Sequence, residues 1–387
     1  MKVHTLVAIV LLSSILTRLY AQQPISFEDR RWKIRAQSAM KEYYKGYNSL
    51  YLQGGIAFLD SVNFSNGQVD FDIYLQDRVS FSGLIFRVKD SVNYEEFYLR
   101  GHLAGMPDAY QYTPVFNDDP AWQLYHDQHD GVNDGFVHWK QRPGNRGFNT
   151  QLDFKTDEWT HVRLLIKDKQ AELYINDNPQ PASFIRELLT GISSGGFGLK
   201  TSVGAVWFAN FTYTPLADLT FKTKPDDFKI ITPPATISSW SVSAPFHERK
   251  IMKATSLDNR WAEQLGWKKM NTEAGGLLNI SRLYPVTDSA NCVLVKLNVT
   301  AASDQVQELL FGYSDRVKVF CNGKAVYSGD NGFRTRDYRY LGTIGYFQSL
   351  YLPLRKGENV IQFAVSETFG GWGLMARWAD PQGITVN

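Results

Sequence analysis

Between Ser80 and Tyr125 the chain places Arg87, Glu96, Tyr98, Arg100 and His102 on alternate positions of two short β-patterned runs. Side chains along a strand point alternately to opposite faces, so these residue types gather on one side. Leu84, Phe86 and Val88 share the inner parity, with Ile85 and Arg87 on the other. After a turn at Asp90–Asn93, Phe97 and Leu99 point inward, while Glu96, Tyr98, Arg100 and His102 point outward. Asp108, Gln111 and Tyr112 follow in a loop, and Gln123 and Tyr125 alternate on a third strand. These ten residues are the candidate ligand-binding set. A pyranose ring has an apolar face edged by hydroxyls, and flat aromatics with bidentate polar groups match it. The competing reading is an internal ion network, Arg87–Glu96–Arg100, that only shapes the sheet. If the face does chemistry, Glu96 and His102 are the proton-transfer pair and Arg100 stabilises developing charge.

Other chemistry-bearing patterns carry less. The loop His126–Gly135 holds Asp127, Asp130 and Asp134, oxygen ligands of the kind calcium takes, but its spacing matches no EF-hand and a solvated turn explains it as well. Gly191-Ile192-Ser193-Ser194-Gly195 fits the nucleophile-elbow pattern formally, yet it runs into a strand where the elbow needs a helix. Glu95 and Glu96 are adjacent and face opposite ways, and Asp70 and Asp72 share a face without a third acid. The paired carboxylates of a retaining glycosidase are therefore not evident. Asn331, Arg334, Arg336, Asp337 and Tyr338 could edge a second ligand, with Trp372 nearby in sequence. Ties between loops and packing at an interface are the favoured reading there.

The surrounding elements are strands. The chain has 387 residues, 43% hydrophobic and 14% aromatic, with a formal charge of +2, which gives no footprint for nucleic acid. Residues 1–21 read as a secretory signal peptide, which implies a secreted or periplasmic protein with no membrane span in its mature form. Residues 22–46 read as a leader region with a helix-compatible piece around 31–44. From Tyr47 short alternating runs are separated by turn residues every eight to twelve positions, the pattern of a β-sandwich. A Pro-containing stretch, 215–239, reads as a linker, and 240–387 is a second β-rich segment in which Asn322-Gly323 marks a hairpin turn. The expected fold is all-β, two tandem β-sandwich domains, 47–214 and 240–387. Cys292 and Cys321 pair as a disulfide or stay as buried thiols, with the sequence favouring neither.

Two resemblances bear on this. Gly67–Ile73, Ser82–Arg87, Asn93–Tyr98, Trp159–Val162, Ala171–Ile175 and Gly196–Leu199 together resemble a concanavalin A-like, laminin-G-type jelly roll. The bacterial 3-keto-disaccharide hydrolase-like group shares the Ser82–Arg87 pattern. The resemblance implies two stacked sheets, one concave, with a saccharide ligand. Phe311–Asp315, Val317–Lys324, Leu354–Asn359 and Gly370–Leu374 resemble a galactose-binding-like jelly roll, which implies an accessory module. The function expected is carbohydrate binding on the first concave face. The alternatives are a glycoside hydrolase or lyase acting at that face through Glu96, His102 and Arg100, and a structural or adhesion protein.

Overall fold

Val69, Phe71 and Ile73 alternate with Gln68, Asp70 and Asp72, and that period sets the inner and outer faces of one strand around which the others assemble. The computed structural model describes residues 24–106, 108–125, 129–130, 140–141, 147–224, 229–335 and 341–386. The segment read as a signal peptide lies outside them. Its first strands are β1 (Trp32–Tyr44), β2 (Tyr47–Phe64), β3 (Gly67–Tyr74), β4 (Phe81–Asp90), β5 (Asn93–Leu99), β6 (Tyr110–Phe116) and β7 (Asp119–Pro120). A short helix α1 (Trp122–Tyr125) follows, then β8 (His129–Asp130), β9 (Lys140–Gln141), β10 (Asn149–Thr150), β11 (Trp159–Lys167), β12 (Gln170–Ile175), β13 (Ser183–Ile185) and β14 (Gly195–Pro215).

These strands form a curled antiparallel sheet ordered β10-β6-β5-β4-β14-β3-β11-β12-β13, with β2 also on β14 and β1 on β2. The long β14 pairs with β4 through Gly196–Val203 and with β3 through Trp207–Pro215. One sheet thus supplies both layers. Leu84, Phe86, Phe97 and Leu99 from one half meet Phe71, Ile73, Val162 and Leu164 from the other in a single core. The stretch expected as a helix-compatible leader is instead β1, paired with β2 from Trp32↔Leu59 to Tyr44↔Tyr47. It is hydrogen-bonded on one side only, and an edge strand carries a weak hydrophobic alternation, here broken by Lys33, Arg35, Lys41 and Glu42.

The second set comprises β15 (Ser239–Ser243), α2 (Asn259–Gln264), β16 (Trp267–Asn271), β17 (Leu277–Asn279), β18 (Cys292–Ala301), β19 (Gln305–Ser314) and β20 (Arg316–Cys321). It ends with β21 (Lys324–Asp330), β22 (Gln348–Leu354), β23 (Gly357–Ser366), β24 (Gly373–Trp378) and β25 (Ile384–Val386). Two sheets, β16-β15-β18-β23-β20-β21 and β17-β24-β19-β22, enclose Val295, Phe311, Phe363 and Trp372. The chain is all-β, with two β-sandwiches in tandem. Asn322 and Gly323 both have positive φ, 50° and 78°, as a two-residue hairpin turn of matching twist requires.

Cys292 and Cys321 are free and buried. β23 runs between their strands, and Cys292 sits opposite Ser366 while Cys321 sits opposite Ile361. Five residue steps along β23, about 16 Å, separate those positions, far beyond the roughly 7 Å between Cα atoms that a disulfide tolerates.

The sandwiches meet along a seam built on α1. Gln123 donates its backbone N–H to Gly370 O (2.8 Å) and its Nε2 to Leu341 O (2.7 Å). Its carbonyl accepts from Ile344 N (3.0 Å), and its Oε1 from Ser314 Oγ (3.3 Å). Leu277 and Ile344 of the second set belong to the first core. The stretch 215–239, expected as a linker, is irregular where described but tied down: Lys222 and Thr223 donate backbone N–H groups to the Glu172 carboxylate.

Beside α1, Asp119 accepts from Ser281 Oγ (2.6 Å) and Trp372 N (3.2 Å). Burial raises its carboxyl to about 6 against those donors. Burial also raises Asp315 and Glu367, which face it and each other; Arg316 lies 4.0 Å from Asp315 and is shared with Glu248. Unfolded carboxyls titrate at about 4, so between that value and 6 the folded chain retains a proton the unfolded chain has released. The Asp119 contribution to stability should therefore fall as pH rises through this window. We expect urea midpoints recorded across it to decline less steeply in Asp119→Asn than in the parent chain, and equal slopes would refute the assignment.

Candidate functional site

The outward face of β4–β6 brings together only part of the expected set. Glu96, Tyr98 and Gln111 lie there with Lys200 of β14. Lys200 Nζ donates to Glu96 Oε2 (2.6 Å). Arg100 donates to Gln111 Oε1 (2.5 Å), pairs with Asp108 (3.0 Å) and lies over the Tyr98 ring, 5.0 Å from its centroid. The network is sealed: Glu96, Arg100 and Gln111 are buried, and Tyr98 is 9% exposed. The partners differ from the expected ion network, since Glu96 is matched by Lys200 and Arg100 by Asp108.

Arg87 is elsewhere. The β4–β5 register slips between Phe86 and Asp90, and Arg87 takes a positive φ of 49°. A bulge of one residue reverses the parity of the residues after it. Arg87 therefore reaches Ser65 O (3.0 Å) and feels Glu95 rather than Glu96, and Val88 turns from the main core to pack against the outward-facing cluster of Ile85, Tyr94 and Val115. Gln111 and Tyr112 belong to strand β6, not to a loop, and face opposite ways. Tyr112 points inward and donates to Glu95 Oε2 (2.6 Å). Gln123 and Tyr125 are on α1, not a third strand, and serve the seam: Tyr125 donates to Glu273 Oε2 (2.5 Å) and accepts from Asn279 Nδ2 (2.9 Å).

His102 lies on a single 3-10 turn, Gly101–Leu103, edge-on to Phe81 with ring centroids 5.6 Å apart. Burial, then the Arg100 charge, lowers its pKa. Glu96 hydrogen-bonds to Lys200 instead of His102. Asp127 and Asp134 lie outside the described residues, and of Asp130 only the backbone, on β8, is described. Arg336, Asp337 and Tyr338 are likewise outside. Trp372 is fully buried, its backbone N–H on Asp119 and its indole on Val365 O (3.1 Å).

A second face is more open, with Arg163 exposed and Trp159, His161 and Trp207 half-buried over the buried Asp70, Asp72 and Tyr74. On the outer side of β2, β14, β3 and β11, the register aligns Tyr51 with Trp207, Trp207 with Tyr74, and Tyr74 with Trp159. Four aromatic side chains thus stand in one row across four adjacent strands, the cross-strand pairing that stabilises sheets. The β1–β2 hairpin tip adds Tyr44, stacked on Trp207 at 4.1 Å and 5°, and Tyr47, edge-on to Trp159 at 5.2 Å. The indole N–H groups are engaged, Trp207 on Glu42 Oε1 (2.8 Å) and Trp159 on Lys45 O (3.0 Å), which fixes the ring planes. Tyr74 is buried, Tyr44, Tyr51, Trp159 and Trp207 are half-buried, and Tyr47 is exposed.

Next to this row lies a polar one. His161, opposite Asp72, bonds Asp72 Oδ1 (2.7 Å) through Nδ1 and Asp70 Oδ1 (3.2 Å) through Nε2. Arg163 donates to Asp70 Oδ1 (2.7 Å), Gln68 to Asp70 Oδ2 (2.6 Å), and Asn210 to Asp72 Oδ2 (2.6 Å). The hydrogen bonds to Asp70 and Asp72 raise His161 to about 9, so it is a cation at neutral pH. Burial works to raise Asp70, but His161, Gln68 and Arg163 hold it below the usual carboxylate value. A general acid in glycoside cleavage needs the reverse of the shift seen at Asp70.

The sequence identifies Asp70 and Asp72 as sharing a face, and Trp159, His161 and Arg163 share the outward parity of their own strand. What it lacks is the register that sets Trp207 and Tyr51 beside them.

No family model matches the chain, and no curated protein matches it. Among solved structures, the carbohydrate-binding module CBM66 from Bacillus subtilis is 16% identical over 47% of this chain and 94% of its own, with a TM-score of 0.33. A Bacillus subtilis protein of unknown function with a galectin-like fold is 10% identical over 49% and 93%, also at 0.33. A family 35 carbohydrate-binding module from an environmental isolate is 19% identical over 27% and 76%, at 0.20. These likenesses carry no argument about ligand or activity. No helix among the described residues is long and apolar enough to cross a membrane.

Proposed function

We propose that the chain binds carbohydrate on the outer face of β2, β14, β3 and β11. The observation that carries this reading is the row of four cross-strand aromatics beside braced polar groups. The aromatic surface left open by Tyr51, Trp159, Trp207 and the hairpin-tip Tyr44 and Tyr47 takes the apolar face of a sugar, and adjacent charged groups take its hydroxyls. The side chains are pre-organised, so little entropy is lost on ordering them around a ligand. Catalysis is not part of the proposal: Asp70, at the centre of the polar row, is held below the usual carboxylate value, the opposite of what a general acid requires.

The test is a glycan-array screen of the chain, followed by calorimetry on each hit with Trp207→Ala, Trp159→Ala and Tyr98→Ala. Loss of a buried aromatic anchor costs a complex about 2 kcal/mol or more, so Kd should rise roughly thirtyfold in the tryptophan variants and stay unchanged in Tyr98→Ala. The face first expected, with Tyr98 and Arg100, enters the same experiment. If Tyr98→Ala alone abolishes binding, the site belongs there and the present assignment fails.

A further inference from the structure

Resting on that reading, we propose that the ligand is an extended, uncharged glycan several sugar units long, lying across the strands along Tyr51, Trp207, Tyr74 and Trp159. Two observations define it.

The first is the shape of the row. Its four residues stand on four neighbouring hydrogen-bonded strands, in register. Strands are spaced about 4.8 Å apart, so three steps extend the row to roughly 14 Å perpendicular to the strands. A single sugar ring would cover one or two of these side chains. A chain of sugars would span the half-buried Tyr51, Trp207 and Trp159, passing over the buried Tyr74 and beside the Tyr44 ring stacked on Trp207, and each added unit gains contact until these are used up.

The second is the charge. Asp70 and Asp72 are balanced by His161 and Arg163 within one hydrogen-bonded group. At the hairpin tip the Glu42 carboxylate accepts from the Trp207 indole and Lys45 follows three residues on in the chain, and at the far end Glu158 pairs with Lys155 (3.6 Å). Asp157 adds a negative charge close enough to Tyr74 to raise its hydroxyl, after burial and Tyr44. A face near neutrality with a small negative excess draws no acidic polysaccharide and gains nothing from counter-ion release. Its affinity should therefore be nearly independent of salt, because the charges that matter are already paired within the protein.

The experiment uses the whole chain and calorimetry at low and high sodium chloride. The probes are a neutral β-1,4-linked glucan series from disaccharide to hexasaccharide, a neutral mannan series of the same lengths, and an oligogalacturonate series. The expected result is binding by a neutral series, tightening at least tenfold from disaccharide to tetrasaccharide, levelling off beyond it, and shifting less than twofold with salt. Tighter binding of the oligogalacturonates, or a tenfold loss in high salt, would overturn the uncharged assignment while leaving carbohydrate binding intact. Equal affinity for disaccharide and hexasaccharide would overturn the extended one. Absence of binding by every series, together with a silent glycan array, would instead remove the functional reading on which this inference rests.

Discussion

The Lys200→Met variant is expected to unfold about 3–5 kcal/mol more easily than the parent chain, because removing one partner of a buried ion pair leaves the other charge uncompensated. Lys200 and Glu96 meet at 2.6 Å, with side chains 14% and 4% exposed. The ammonium also donates to the Tyr94 hydroxyl (3.1 Å). Burial would release the Lys200 proton, yet Glu96 and then Tyr94 outweigh it and the amine stays charged. Methionine has about the right length and no charge, so packing changes little and the cost falls on Glu96. The double variant Glu96→Gln, Lys200→Met should recover most of the loss, since a neutral amide needs no counter-ion. Urea denaturation of both variants measures this. A single variant within 1 kcal/mol of the parent would mean that water reaches Glu96 and that the face is open.

That network also shows how far the sequence reaches. The period of two puts Glu96, Tyr98 and Arg100 on the side away from Phe97 and Leu99, and the structure agrees. Alternation says which residues share a face but not what covers the face, so a side chain set for a ligand and one sealed into an ion network read alike. Arg87 shows a second limit. Its bulge needs a positive φ, yet the residue is an arginine, not a glycine or asparagine that would announce such a backbone. The aromatic row shows a third. Each of its members is legible within its own strand, but Tyr51 and Trp207 are 156 positions apart in numbering, and only the long-range pairing of β2 with β14 makes them neighbours. By contrast the Asn322-Gly323 hairpin is set by its two residues alone, and it is readable from them.

Gly370→Ala should cost about 3 kcal/mol, the second large effect. Gly370 has a φ of +107°, which an L-residue adopts only with strain, and a Cβ there would overlap the Gln123 Oε1 atom. Overpacking of this kind costs about 1–3 kcal/mol, and the left-handed backbone adds about 1–2. Gln123 cannot simply withdraw, because its backbone N–H is held by Gly370 O and its carboxamide by Leu341 and Ser314. Removing the obstructing side chain in Gln123→Ala, Gly370→Ala should return part of the loss, so the two substitutions will be non-additive in a double-mutant cycle. Strict additivity in chemical denaturation would show that the side chains do not meet, and that α1 does not key the two sandwiches together.

The long strand β14 has a consequence for how the chain is made. β2, β3 and β4 all hydrogen-bond to it, and none of them completes its sheet without residues 195–215. During synthesis the last of β2 leaves the ribosome about 130 residues before β14 begins, a delay on the order of ten seconds at roughly 5–20 residues per second. Throughout that interval the growing polypeptide carries open β edges of alternating pattern, the surfaces most prone to pair with a neighbouring nascent chain. Nascent chains halted before residue 195 should therefore need a chaperone to stay in solution, and those halted well past residue 215 should not.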